Sequence, residues 1–245
     1  MKDNFSTQAK GYSKYRPYYP SEMIAYIASF AENKQSALDV ATGNGQVAVE
    51  LAKHFKQVYA TDISENQLAN ALQKDNIIYK VERAEQTTFV NHQFDLITVA
   101  QAIHWFDFDA FYKEVHRILK PDGVFAVLGY GLFIVNGESE KLLKHFYHDI
   151  TGSYWDAERR YLDENYTTIP FPFEEVEVKQ FTNEFTWTFE QLTGYLETWS
   201  AVQHYIKKNG SNPVDLVRDE LKEYWEKGDK KVTFPLLLRI GKLKD

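Results

Sequence analysis

The segment Leu38-Asp39-Val40-Ala41-Thr42-Gly43-Asn44-Gly45 ends an apolar run with a carboxylate and follows it with two glycines. Glycine lets the backbone come close to a ligand, and the N-terminus of a following helix offers free N–H groups. Asp62 lies 17 residues past Gly45, at the end of the next apolar run. A carboxylate there can accept both hydroxyls of an adenosine ribose. Turn, strand and acid fall in the order of a nucleotide-binding fingerprint, which outweighs a tight turn beside a chance surface aspartate. The fingerprint leaves the nucleotide open, because Gly43-Asn44-Gly45-Gln46-Val47-Ala48 also fits a loose dinucleotide pattern. Asp39 tilts the balance: its charge would repel a pyrophosphate and attract a cationic ligand.

Other residues could do chemistry. His104, in His104-Trp105-Phe106, follows the fourth apolar run, where it could act as a general base, donate to a substrate, or simply shape its loop. Trp105 reads as a packing wall. Arg16 is the fixed cation among Tyr12, Tyr15, Tyr18 and Tyr19. Its fork suits a carboxylate of a cofactor or an acidic substrate, or it could tether the segment to a surface acid. Among the rings from Phe146 to Trp199 most are expected in a core and a few at a pocket. His145, His148 and Asp149 have a spacing that admits a metal, yet no third ligand is indicated, so no metal is expected. Ser153 and Ser200 lack a nucleophile-elbow pattern, which argues against a serine hydrolase.

These residues need a scaffold that alternates strand and helix. Strands are expected at 37–40, 58–61, 77–81, 94–100 and 124–128. Between them, Ser21 reads as the N-cap of a helix, Ser64 with Gln67 as a capping box opening a helix through Lys74, and 109–119 as a helix stopped by Lys120-Pro121-Asp122-Gly123. The order implies a parallel sheet covered by helices on both faces. Past Gly129 the pattern changes: 131–170 reads as helical, 176–188 as extended, 189–208 and 213–227 as helices, and 232–240 as a last strand.

With 245 residues, 44% hydrophobic and 16% aromatic, the chain can bury one large core, which excludes global disorder. A net charge of −7 argues against a nucleic-acid backbone as partner. The lack of cysteine removes disulfides, zinc–thiolate sites and thiol nucleophiles. Neither a secretory leader nor a membrane span is read in the sequence, so a cytoplasmic protein is expected.

The motifs resemble those of the class I S-adenosylmethionine-dependent methyltransferases, of the methyltransferase type 11 family, along almost the whole chain. Residues 38–45 resemble that family's first motif, Tyr59-Ala60-Thr61-Asp62 its second-strand acid, Ala84-Glu85 its adenine segment, 94–102 its fourth strand and Leu119-Lys120-Pro121-Asp122-Gly123 the turn before its fifth. Tyr15-Arg16-Pro17, the segment 101–106 and Thr198-Trp199-Ser200 are similar to the small-molecule branch containing trans-aconitate methyltransferase. Two positions depart from the pattern: Ala41 replaces a usual glycine, and Arg83 stands before Ala84 where many relatives have an aspartate.

The resemblance implies an α/β Rossmann-like fold, with a mostly parallel seven-stranded sheet, an antiparallel last strand and a helical cap. It implies a lid and first helix at 1–33, a cofactor core at 34–130, a cap at 131–170 and 189–230, and last strands of the core sheet at 171–188 and 231–245. S-adenosyl-L-methionine is the implied cofactor, held by Asp39, Ala41, Thr42, Gly43, Asn44, Gly45, Asp62, Ile63, Ala84, Glu85, Ala100 and Gln101. Tyr15, Arg16, His104, Trp105 and Trp199 are the implied substrate contacts, with His104 the catalytic candidate. The implied acceptor is a small molecule, with a carboxylic acid foremost, methylated by a monomer or homodimer. A non-catalytic protein binding the same cofactor and an NAD-dependent oxidoreductase are the alternatives. Nucleic-acid methylation is disfavoured by the acidic charge, and because Gln101-Ala102-Ile103-His104 stands where an Asn/Asp-Pro-Pro-aromatic tetrapeptide would be.

Overall fold

A computed structural model describes residues 15–243; Tyr12, with the rest of the first 14 positions, lies outside the described residues. The strands are β1 (Ser36–Val40), β2 (Gln57–Asp62), β3 (Ile77–Val81), β4 (Phe94–Ala100), β5 (Leu119–Tyr130), β6 (Glu174–Val176), β7 (Phe181–Thr186) and β8 (Lys231–Lys242). The first five pair in parallel, and β8 runs antiparallel to β5. Both β6 and β7 pair with β8, along residues 240–242 and 231–236 respectively, so they share one lane. The spatial order is β3-β2-β1-β4-β5-β8, with β6 and β7 outermost. This is the expected mixed α/β sheet of seven lanes with a reversed last strand. The expected extended segment 176–188 is broken in its middle, where residues 177–180 leave the ladder.

Both faces of the sheet are covered, which is why β5 is apolar on both sides. Val124, Ala126 and Leu128 face one hydrophobic layer with α1 (Ser21–Ser29) and α2 (Gln46–Leu51). Phe125 and Val127 face the other, with Phe111, Val115 and Ile118 of a later helix, Phe108–Ile118.

Several boundaries differ from the sequence expectation for local reasons. Pro20, not Ser21, is the N-cap of α1, since proline's fixed φ suits the extended entry. The Ser64 hydroxyl does accept from the Gln67 N–H at 3.3 Å, but helix α3 ends at Ala69 instead of continuing to Lys74 (Glu65–Ala69). The chain turns there so that the Leu72 N–H donates to Asn44 O at 3.0 Å, beneath the glycine loop. Helix α4 is the Phe108–Ile118 segment, capped by Asp107; Leu119 already pairs with Phe94 in the sheet.

In 131–170 only α5 (Glu138–His145) and α6 (Arg160–Asp163) are α-helical, separated by a π turn and two 3₁₀ turns. The segment 189–208 divides into α7 (Phe189–Glu197) and α8 (Ser200–Asn209), and α9 is Arg218–Lys227. Among the described residues no helix is long and apolar enough to cross a membrane.

Candidate active site

The strand order reverses beside β1, whose neighbours are β2 and β4. The crevice outside the carboxyl ends of strands at such a switch point is where open α/β sheets bind ligands. Asp39, one residue before the end of β1, is 1% exposed. The Thr98 hydroxyl from β4 donates to its Oδ1 at 2.8 Å, and the Thr42 hydroxyl donates to Oδ2. Burial pushes this carboxyl up to about 6 against the pull of those two hydroxyls.

The loop after β1 is left-handed at Ala41, Gly43 and Gly45, with φ of 53°, 56° and 82°. At Gly43 nothing lies within 4 Å of where a Cβ would sit, so the backbone there is open to a ligand. The same glycine's N–H donates to Asp62 Oδ2 at 2.9 Å, while the Ser64 N–H donates to Oδ1 at 2.9 Å. Asp62 thus fixes the loop from β2 and sets its carboxylate at the edge of the cleft.

The cleft of about 950 Å³, counting space open to solvent, is within the range of small-molecule sites. Its walls are Asp39, Ala41, Thr42, Gly43 and Asn44 from the first loop, Asp62 and Ile63 from the second, and Ala100 and Gln101 from the end of β4. Arg16 and Trp105 close it. Three expected cofactor residues are not on this lining. Gly45 sits behind the loop at the start of α2, Ala84 is packed into the second hydrophobic layer, and Glu85 pairs with Arg83 at 3.6 Å.

A second, smaller chamber adjoins the cleft and shares Arg16, Gln101 and Trp105 with it. His104 and Trp199 line it, together with Trp155, Asp156 and Arg159. Tyr15 does not line either space; its ring lies against Gly194 of α7. Arg16 donates to Thr198 O at 3.1 Å and to the Tyr130 hydroxyl at 3.5 Å, which fastens the N-terminal segment to both the sheet and α7's end. Gln101, left-handed at φ 54°, pairs its amide with the Tyr130 backbone through two 3.1 Å bonds.

His104 is 5% exposed and shares a 3.0 Å hydrogen bond between Nδ1 and the Tyr166 hydroxyl. Burial, reinforced by the nearby Arg159 charge, lowers its pKa to about 3, so the imidazole is neutral at physiological pH.

Tyr130 and Arg159, which no sequence motif singles out, also line these spaces, as does Gln67, which the sequence marks only as a capping residue. Tyr130 is the last residue of β5 and closes the buried stretch that begins at Gly123. Arg159 carries no local motif and reaches the chamber only through packing of distant segments. His145 and Asp149 form an exposed 2.7 Å pair, and among the described residues no three potential ligands come together around a metal position.

Residues 38–127 match a family model described as "Methyltransferase domain". A protein of Dictyostelium discoideum named as a methyltransferase is 33% identical over 98% of this chain and 95% of its own length. A Saccharomyces cerevisiae protein, named for S-adenosylmethionine-dependent methyl transfer, is 24% identical over 90% of this chain and 89% of its own. The solved structure of a protein from Anaeromyxobacter dehalogenans, described as a type II methyltransferase, superposes with a TM-score of 0.86 at 34% identity, covering 94% of this chain and 99% of that one.

Proposed function

The chain belongs to the class I S-adenosylmethionine-dependent methyltransferases, and from that premise we propose that its acceptor is a small molecule bearing a carboxylate, methylated on oxygen to an ester. The trans-aconitate methyltransferases, which Tyr15-Arg16-Pro17, 101–106 and Thr198-Trp199-Ser200 resemble, are the model for this chemistry. What supports it most is the state of His104. A hydroxyl or phenol acceptor must give up a proton, and a buried imidazole with a pKa near 3 is a poor base for that task. A carboxylate is already ionised at neutral pH and needs alignment alone.

The donor set fits the cofactor. Asp62, held by two backbone N–H groups on the cleft wall, offers a carboxylate to the ribose hydroxyls, and buried Asp39 offers a negative group to the methionine ammonium. When bound, S-adenosylmethionine supplies a methyl group already activated by its sulfonium. The protein's own residues then position and exclude water. Arg16 and Trp105, common to both spaces, stand at their junction. His104, held by Tyr166, presents a neutral polar edge that orients the acceptor without taking its proton. Residues 131–170 and 189–230 act as a cap, contributing Trp155, Arg159 and Trp199 to the acceptor chamber.

The test is incubation with methyl-tritiated cofactor and a panel of small carboxylic acids, followed by mild alkali. Methyl esters release their label as methanol; label that survives alkali would place the methyl on nitrogen, carbon or an ether oxygen and overturn the proposal. A His104→Gln variant should lose less than about tenfold in turnover, with a flat rate between about pH 6 and 9. A loss in the general-base range, about 10²–10⁴-fold, would make His104 a base instead.

A further inference from the structure

The wall between the acceptor chamber and a larger outer cavity is built from Trp155, Asp156, Arg159 and Leu162, which line both. Arg159 is the cation of this wall, and its side chain is 17% exposed. Its Nε donates to the Tyr147 hydroxyl at 2.9 Å and to Asp163 Oδ1 at 3.2 Å. The guanidinium also stacks on two rings, 4.8 Å from the Trp155 centroid and 5.5 Å from that of Tyr147.

Among the described residues these Nε bonds are the only hydrogen bonds Arg159 donates, so neither Nη group donates to a protein acceptor there. Asp156 shares the wall, but the ion pair of Arg159 is with Asp163. Arg16, the other cation of the chamber, is placed differently: its Nη groups donate to Thr198 O and the Tyr130 hydroxyl.

We propose that Arg159 is the specificity-determining residue of the acceptor chamber, its Nη fork receiving a carboxylate of the acceptor while Tyr147 and Asp163 hold it from the Nε side. The physical case is pre-organisation. A guanidinium oriented through Nε and clamped between two rings has little rotamer freedom left to lose when a planar two-oxygen anion docks on its outer edge. Partial burial keeps water from screening the contact. Its charge is felt across the chamber, where it helps to keep His104 neutral. Because Arg159 lines the outer cavity as well, an anion arriving from that side meets the same fork before reaching the junction with the cofactor cleft. This assignment rests on the ester-forming reading above and names the residue that recognises the acceptor.

The experiment is calorimetry of the full chain saturated with S-adenosylhomocysteine, titrated with acetate, succinate, benzoate and tricarballylate, and with acetamide, succinamide and benzamide as uncharged counterparts. At least one carboxylate should bind and its amide should not. Arg159→Met should weaken that binding by at least about tenfold, with S-adenosylhomocysteine affinity and the unfolding temperature unchanged. Arg159→Lys, which keeps the charge but not the fork, should recover part of the loss. If Arg159→Met shows a lower unfolding temperature, Tyr147→Phe serves in its place and should weaken carboxylate binding alone. Carboxylate binding that survives undiminished in the folded variants overturns the role of Arg159 and leaves ester formation standing. Absence of carboxylate binding to the wild-type protein overturns both.

Discussion

The Tyr79 ring closes over the Cα of Gly45: a Cβ built there would lie 2.4 Å from the tyrosine hydroxyl and 3.2 Å from the ring carbon that bears it. That hydroxyl donates to Leu72 O, and the Leu72 N–H in turn donates to Asn44 O, so β3 and the segment after α3 brace the glycine loop from behind. Gly45→Ala therefore meets two separate penalties, a left-handed φ of 82° and a collision. Each is worth about 1–2 kcal/mol, for a total loss of roughly 2–4 kcal/mol in denaturant unfolding. Adding Tyr79→Phe removes the hydroxyl and should return part of the collision cost while leaving the backbone cost. Additive effects in the double variant would show that the two residues are not coupled.

Ala41 presents the opposite case, a side chain where the backbone would favour none. It has a φ of 53°, a region that costs an L-residue about 1 kcal/mol or more. Ala41→Gly removes that strain but gives the unfolded chain more freedom, so the net gain should be about 0.5–1 kcal/mol. Denaturant titration checks it, and equal or lower stability in the variant would mean that the loop bears no strain at this position.

The elements at the first loop were legible because their signals are local. Asp39, Gly43 and Asp62 lie within two strand ends and one turn, and parallel pairing of β1 with β2 brings them together without help from distant chain. Ala84 and Glu85 were expected at the cofactor by resemblance, yet Ala84 faces the hydrophobic layer and Glu85 pairs with Arg83. Helix α3 stops early because a tertiary bond, Leu72 N–H to Asn44 O, competes with continued helix, and periodicity carries no trace of it. Arg159 was illegible for the same reason. Its neighbours Tyr147, Trp155 and Asp163 are local, but its place beside Arg16 and His104 arises only from packing of the segments after β5 onto the sheet.

Gly194 of α7 is packed against Tyr15: a Cβ there would fall 2.6–2.8 Å from three atoms of the ring. In a helix interior, alanine normally gains about 0.5–1 kcal/mol over glycine. Gly194→Ala should keep that gain only by displacing Tyr15, and Arg16 and Pro17, which follow directly, line the cleft proposed to hold the cofactor. The expected result is stability equal to or above wild type with S-adenosylhomocysteine affinity reduced about tenfold or more. Unchanged affinity would mean that Tyr15 does not hold the segment in place.

With Asp39 facing the cofactor's ammonium, as proposed above, cofactor binding should depend on pH. Without cofactor, burial pushes its carboxyl up to about 6, whereas an unfolded chain titrates it near the ordinary aspartate value of about 4. The folded pKa is the higher one, so the folded state binds the proton more tightly. The stability this contributes is fully present below about pH 4 and is lost as pH rises through 6. The ionised form that is costly in the empty site is the one a cationic methionine amine requires. Affinity for S-adenosylhomocysteine should therefore be level above pH 6 and fall toward tenfold per pH unit below it, with a proton released on binding. Calorimetry in two buffers of different ionisation enthalpy reads that proton directly. Asp39→Asn should abolish both the pH dependence and the proton release while weakening binding at pH 7. The same substitution should stabilise the cofactor-free protein at pH 7, by up to about 3 kcal/mol, because an amide has no charge to desolvate. A variant that binds as tightly as wild type at pH 7, or an affinity that stays flat down to pH 5, would remove Asp39 from the cofactor's ammonium and leave it a buried anchor for Thr42 and Thr98.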